Sequence, residues 1–89
     1  MKNTDSTIHP IRTVFAKNLR KIRRLKDISQ EALAFDAGLS RAYVSDIERG
    51  QRAVSIDVMG KIADALDVSL AALVKTNYTA TEWAELSLK

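Results

Sequence analysis

The chain has no cysteine and one histidine, His9. The first absence excludes a disulfide framework and every thiolate metal site. The second excludes a multi-histidine metal centre and any catalytic pairing of two histidines. Three glycines in 89 residues form no glycine-rich loop of the kind that cradles phosphates. No apolar run approaches the roughly 18 residues that would suggest a membrane span. The first eleven residues contain no signal-peptide core, so a cytoplasmic protein is expected. With one histidine in a polar arm and nothing to activate a nucleophile, neither an enzyme nor a cofactor is expected.

Length and composition point to one soluble globular domain, with 46% hydrophobic and 28% charged residues. The net charge of +3 is unevenly spread. Residues 1–54 hold eleven Lys or Arg against six Asp or Glu, a balance of +5, and residues 55–89 hold three against five, a balance of −2. A basic half joined to an acidic half has two readings: a polyanion partner on one side, or a solvated helix surface.

Residues 1–10 are polar and read as a disordered arm that ends at Pro10, the only proline. Beyond it Phe15, Leu19 and Ile22 recur at helical spacing, with Arg20, Lys21, Arg23 and Arg24 between them. This predicts an amphipathic first helix from about Ile11 to Lys26. Asp27-Ile28 interrupts it. Ser29 then caps a second helix, with Ala32, Leu33 and Ala37 facing inward and Gly38 closing it. Ser40 caps a third helix from Arg41 to Arg49, stopped by Gly50. After a loop over residues 51–54, Ser55 caps a fourth helix built on Val58, Ile62, Ala65 and Leu66. Asp67-Val68 separates this from a short fifth helix over residues 69–74. Residues 76–89 form an extension in which Trp83 and Leu86 allow a short amphipathic helix. The expected fold is all-α, with the main domain over residues 11–75.

Gln30 to Gly50 has the spacing of a helix-turn-helix: Ala34 where two helices cross, Gly38-Leu39 in the turn, then Val44 and Ile47 to lock the second helix. That geometry pushes the N-terminus of the third helix outward, where it can reach base edges in a major groove. By spacing alone, other helical hairpins fit nearly as well.

The residues themselves are more specific. Gln30-Glu31-Ala32-Leu33-Ala34, Gly38-Leu39-Ser40, Tyr43-Val44-Ser45 and Ile47-Glu48-Arg49-Gly50 resemble the helix-turn-helix domains of the lambdoid phage repressor and Cro class. Within it they look most like the short bacterial regulators called the XRE family, including the controller proteins of restriction-modification systems. The similarity runs on through residues 62–70 and covers about Phe15 to Val74. One departure is Ala53-Val54, where relatives commonly carry Asn-Pro. The resemblance implies a five-helix, lambda-repressor-like DNA-binding domain.

It also implies roles. Arg41, Ala42, Ser45 and Asp46 face the groove from the third helix. Arg41 suits a bidentate contact to guanine, and Ala42 offers a methyl surface to thymine. Asp46 accepts from cytosine, orients Arg41, or repels wrong sequences. Tyr43 bonds a phosphate or packs over a sugar. Gln30 lies at a helix N-terminus, where N–H groups and the dipole favour a phosphate; Ser29 shares that phosphate or only caps. Arg49, Gln51 and Arg52 suit phosphate contact, as does Arg24, with Arg23 a further candidate. Glu48 reads as structural, paired with Arg20 or Arg23.

One recognition helix touches too few base pairs to select a site in a genome, so a homodimer on two half-sites about 34 Å apart is expected. Leu70, Leu73, Val74, Trp83 and Leu86 are the candidate seam, unless Trp83 covers its own core. The expected function is a sequence-specific regulator of transcription, repressor or restriction-modification controller, with operator DNA and RNA polymerase as partners and no membrane. The competing reading is an antitoxin or protein-bridging module whose C-terminal tail binds a protein.

Overall fold

The computed structural model describes residues 8–88; the polar arm as far as Thr7, and Lys89, lie outside the described residues. Six helices form in chain order: α1 (Ile11–Leu25), α2 (Gln30–Ala37), α3 (Arg41–Glu48), α4 (Ile56–Leu66), α5 (Leu70–Val74) and α6 (Ala80–Ser87). No strand occurs among the described residues. The third helix ends one residue earlier than expected, with Arg49 in the C-cap position.

The helix starts are set by hydroxyl caps. Ser29, Ser40, Ser55 and Ser69 each accept a hydrogen bond from the N–H three residues on, at Ala32, Tyr43, Val58 and Ala72. Each such cap contributes about 1 kcal/mol. At the start of α1 the exposed His9 acts in a similar way, its Nδ1 accepting from the Ile11 N–H at 3.0 Å.

The helix ends are equally definite. Gly38 takes the left-handed conformation (φ 71°), and the Leu39 N–H donates back to the Ala34 carbonyl at 2.8 Å. This satisfies a carbonyl at the end of α2 and turns the chain sharply into α3. Asp27 and Asp67 adopt the same conformation after α1 and α4 (φ 61° and 57°), which aspartate tolerates better than most side chains.

These corners wrap the helices around one core. It comprises Phe15, Leu19 and Ile22 of α1, Leu33, Ala34 and Ala37 of α2, Val44 and Ile47 of α3, Ile62, Ala63 and Leu66 of α4, and Leu73 of α5. Each large aliphatic side chain buried there contributes about 1.5–3 kcal/mol. Ala32 is exposed, contrary to expectation. The inward stripe of α2 runs through positions 33, 34 and 37, and Ala32 lies about 140° of helix rotation from Ala37.

Asn18 is a buried polar residue on α1. Its Nδ2 donates to the carbonyls of Leu73 at 3.0 Å and Lys75 at 2.8 Å. These are carbonyls at the end of a five-residue helix that would otherwise have no partner. One side chain therefore ties α5 to α1.

The C-terminal segment folds back onto the same body. Thr79 and Glu82 form a reciprocal capping box that starts α6. Trp83 stacks on Tyr78 with ring centroids 3.9 Å apart, and Lys21 of α1 holds its Nζ 4.5 Å from the Trp83 ring. The Tyr78 hydroxyl donates to the Ala72 carbonyl, and Lys75 Nζ lies 3.4 Å from Glu82 Oε2. The Glu82 carboxyl is held below its ordinary pKa, first by the Thr79 N–H and then by Lys75. Burial, and secondarily Glu82, push the Tyr78 phenol up.

Candidate nucleic-acid interface

Glu48 lies at the end of α3 and is only 3% exposed. A carboxylate at that depth is costly unless its oxygens are fully engaged. Arg23 Nε donates to Oε2 at 2.6 Å and Nη2 to Oε1 at 2.9 Å, a bidentate pair. Gln30 Nε2 adds a third bond to Oε1 at 3.0 Å. The remaining Arg23 nitrogen, Nη1, donates to the Ile28 carbonyl at 2.8 Å, and Arg20 Nη1 to the main-chain carbonyl of Glu48 at 2.7 Å. Burial alone would raise the Glu48 pKa. The hydrogen bonds from Arg23 and Gln30 and the charges of Arg23 and Arg24 outweigh it and hold the carboxyl below its ordinary value of 4.5.

The network joins α1, α2 and α3 at one point and so fixes the angle at which α3 leaves the body. It also separates the two arginines considered for Glu48: Arg23 pairs with the side chain, Arg20 with the backbone. Arg23 is 8% exposed, so it is committed to the interior and is withdrawn as a phosphate ligand. Gln30 gives one amide N–H to Glu48; its second N–H is left for an outside acceptor.

From this fixed base the N-terminal turn of α3 projects outward. Arg41 and Ala42 are exposed, and Ser45 and Asp46 are half-buried on the following turn. Arg41 makes no ion pair or hydrogen bond among the described residues. Asp46 pairs with Arg49, whose Nη1 also donates to the Ser45 hydroxyl. The expectation that Asp46 orients Arg41 is therefore corrected: five residues separate them, about 140° around the helix, whereas Arg49 follows Asp46 by three. Arg49 in turn is anchored across the surface of α3 rather than free. Tyr43 is half-buried with the Arg52 guanidinium stacked over its ring at 4.7 Å. Gln51 is exposed, and its N–H closes α3 on the Asp46 carbonyl at 3.0 Å. Ser29 is exposed at the start of α2 with its oxygen accepting the cap bond, which leaves its O–H proton to donate. Arg24 is exposed on α1 and, with Ser29, lines a shallow hollow beside that helix start.

The candidate seam residues part company. Leu73 is fully buried in its own core, so it has no surface to offer a second copy. Trp83 is half-buried between Tyr78 and Lys21, covering its own chain. Leu70, Val74 and Leu86 are half-buried against the core edge. Sequence reasoning did not pick out Asn18 or Tyr78. A tyrosine beside a threonine-rich segment carried no period to mark it.

Comparison with known proteins adds an independent line. Residues 19–73 match the family described as helix-turn-helix. The control protein C.BamHI of Bacillus amyloliquefaciens is 52% identical over 59 residues, covering 65% of this chain and 73% of that protein. The control protein C.SmaI of Serratia marcescens is 34% identical over 74 residues, covering 83% and 88%. Among solved structures, the restriction-modification controller protein C.AhdI from Aeromonas hydrophila matches with a TM-score of 0.70 at 45% identity, over 73% of this chain and 98% of that one.

Proposed function

The chain belongs to the helix-turn-helix family and is closely related to restriction-modification controller proteins, and from that premise we propose that it regulates transcription by binding an operator in duplex DNA as a homodimer. The observation that carries the reading is the exposed first turn of α3, held out from the body by the buried Arg23–Glu48–Gln30 network. Arg41 and Ala42 enter the major groove, followed by Ser45 and Asp46. The Arg41 fork takes guanine N7 and O6, a contact that discriminates by about 1–3 kcal/mol. Asp46, tethered to Arg49, faces a cytosine amino group or rejects an acceptor there.

Phosphates on one side of the groove meet the Ser29 hydroxyl and the second Gln30 N–H, where the dipole of α2 favours an anion. Those on the other side meet Arg49, Gln51, Arg52 and Tyr43, with Arg24 at the outer edge. Two copies joined along the edge of α5 and α6, at Leu70, Val74 and Leu86, present two such surfaces. The work is done by occupancy in the cytoplasm, without a catalytic step, and RNA polymerase is the machinery it blocks or recruits. The docking of Trp83 on its own α1 disfavours the reading of the C-terminal tail as a segment that waits for a protein partner.

Selection of bound sequences from a random duplex library, at two salt concentrations, tests the proposal. A palindromic motif with half-sites about one helical turn, ~34 Å, apart is the expected result. Salt-sensitive binding with no motif would leave only the non-specific electrostatic term and would overturn it.

A further inference from the structure

One charged surface extends beyond the interface described above, which uses only its Arg24. Lys17, Lys21 and Arg24 are exposed on α1 at positions i, i+4 and i+7, so they form one stripe along the helix. None of the three has an acidic partner within 4 Å among the described residues; the ion pairs there are Arg23–Glu48, Arg49–Asp46 and Lys75–Glu82. The stripe borders a groove lined by Lys17, Asn18, Arg20, Lys21, Arg24 and Trp83. At its lower end Arg24 also lines the hollow that contains Asp27 and Ser29, at the N-terminus of α2. The stripe is thus continuous with the phosphate-binding end of the proposed interface.

Three cations in a row, Lys17 and Lys21 with no counter-charge beside them and Arg24 with only the longer-range charge of Glu48, call for a row of anions. Seven residues of helix span about 10 Å, the axial length of about three phosphates on one strand at ~3.4 Å each. The middle side chain is also held in place. Lys21 is drawn over the Trp83 ring at 4.5 Å, and that ring is fixed by its stack on Tyr78. α6 therefore positions the middle of the stripe at Lys21, and its Arg24 end lies beside the start of α2.

We infer that the α1 stripe of Lys17, Lys21 and Arg24, braced by Trp83, binds the sugar-phosphate backbone of duplex DNA flanking the operator half-site, outside the base pairs read by α3. The inference rests on the operator-binding reading. The DNA leaves the N-terminus of α2 at Ser29 and Gln30, passes Arg24, and runs along α1 toward Trp83. This contact carries no sequence information of its own; it adds affinity, salt dependence and a longer footprint.

The test uses the full chain and two duplexes carrying its selected operator. One ends flush with the outer base pair of each half-site; the other has ten further base pairs of arbitrary sequence on each side. Affinity is measured from 50 to 300 mM salt for the wild type, for K17Q/K21Q, and for K17Q alone, which leaves the Lys21–Trp83 contact intact. Circular dichroism establishes that the variants are folded. The wild type should bind the flanked duplex about tenfold more tightly, with a salt slope steeper by about two, since each phosphate contact contributes ~0.9. K17Q/K21Q should bind the two duplexes alike while keeping the wild-type affinity for the short one, and K17Q should fall between. Equal binding of both duplexes by the wild type would overturn the inference while leaving the operator reading intact. An equal loss on both duplexes in K17Q/K21Q would also overturn it. Failure to select any operator would remove the operator reading, and this contact with it.

Discussion

Removing the Glu48 carboxylate should be among the most damaging single changes in the chain. Glu48→Ala leaves the Arg23 guanidinium, 10% exposed on its side chain, without a counter-charge, and Gln30 without its acceptor. Breaking a buried ion pair from one side costs about 3–5 kcal/mol, because the remaining charge stays buried. A domain of this size has about 5–15 kcal/mol to lose, so the fall in Tm is on the order of 15–30 °C. Urea and thermal unfolding followed by circular dichroism measure it. Arg23→Ala should cost a similar amount. The double variant Arg23→Met with Glu48→Leu, which substitutes apolar packing for the pair, should recover most of the loss. The pH dependence has a definite sign. The carboxyl titrates below 4.5 in the fold, so the unfolded chain takes up its proton first as pH falls. The stabilisation is then complete above about pH 4.5 and declines as pH drops through the lower folded value. That decline should be shallower in the double variant. A Glu48→Ala protein less than about 1 kcal/mol weaker than wild type would refute the idea that this network fixes the three helices.

Other outcomes follow from the same geometry. Gln30→Ala should weaken binding to all duplex sequences evenly, by filter binding or anisotropy, and should also lower stability by about 1 kcal/mol through its lost bond to Glu48. Asn18→Ala should destabilise by about 1–3 kcal/mol, with amide hydrogen exchange quickened first in α5, whose final carbonyls it holds. Thr79→Ala should cost about 1 kcal/mol of capping, seen as a change in Trp83 fluorescence at denaturant concentrations where α1 to α4 remain folded. Gly38→Ala places a side chain at φ 71° and should cost about 1 kcal/mol.

The order of the helices was legible because each start and stop depends on a local residue. Ser29, Ser40 and Ser55 announce their helices, and Gly38 ends one. The capping box that starts α6, Thr79 with Glu82, was not legible, because the threonine-rich run around it obscured which threonine caps. The Asp46–Arg49 pair was also within reach of the sequence, because their three-residue spacing places them together and the five-residue spacing to Arg41 does not. Asn18 was different in kind. Its partners at Leu73 and Lys75 lie more than fifty residues away, and no local pattern distinguishes a buried asparagine from a solvated one. Leu73 was misplaced because a five-residue helix is too short for a period to say which leucine turns inward. At the candidate interface, the exposed residues followed from the motif, whereas the tethering of Gln30 and Arg49 followed only from the packed helices.

The central claim is that α3 reads bases through Arg41. The most direct test repeats the duplex-library selection with the wild type and with Arg41→Ala side by side. The account predicts that the variant keeps the palindrome and the half-site spacing but loses its preference at one base pair in each half-site, with a fall in specific affinity of about 1–3 kcal/mol. An unchanged motif from Arg41→Ala would contradict it and would mean that α3 does not lie in the groove as described.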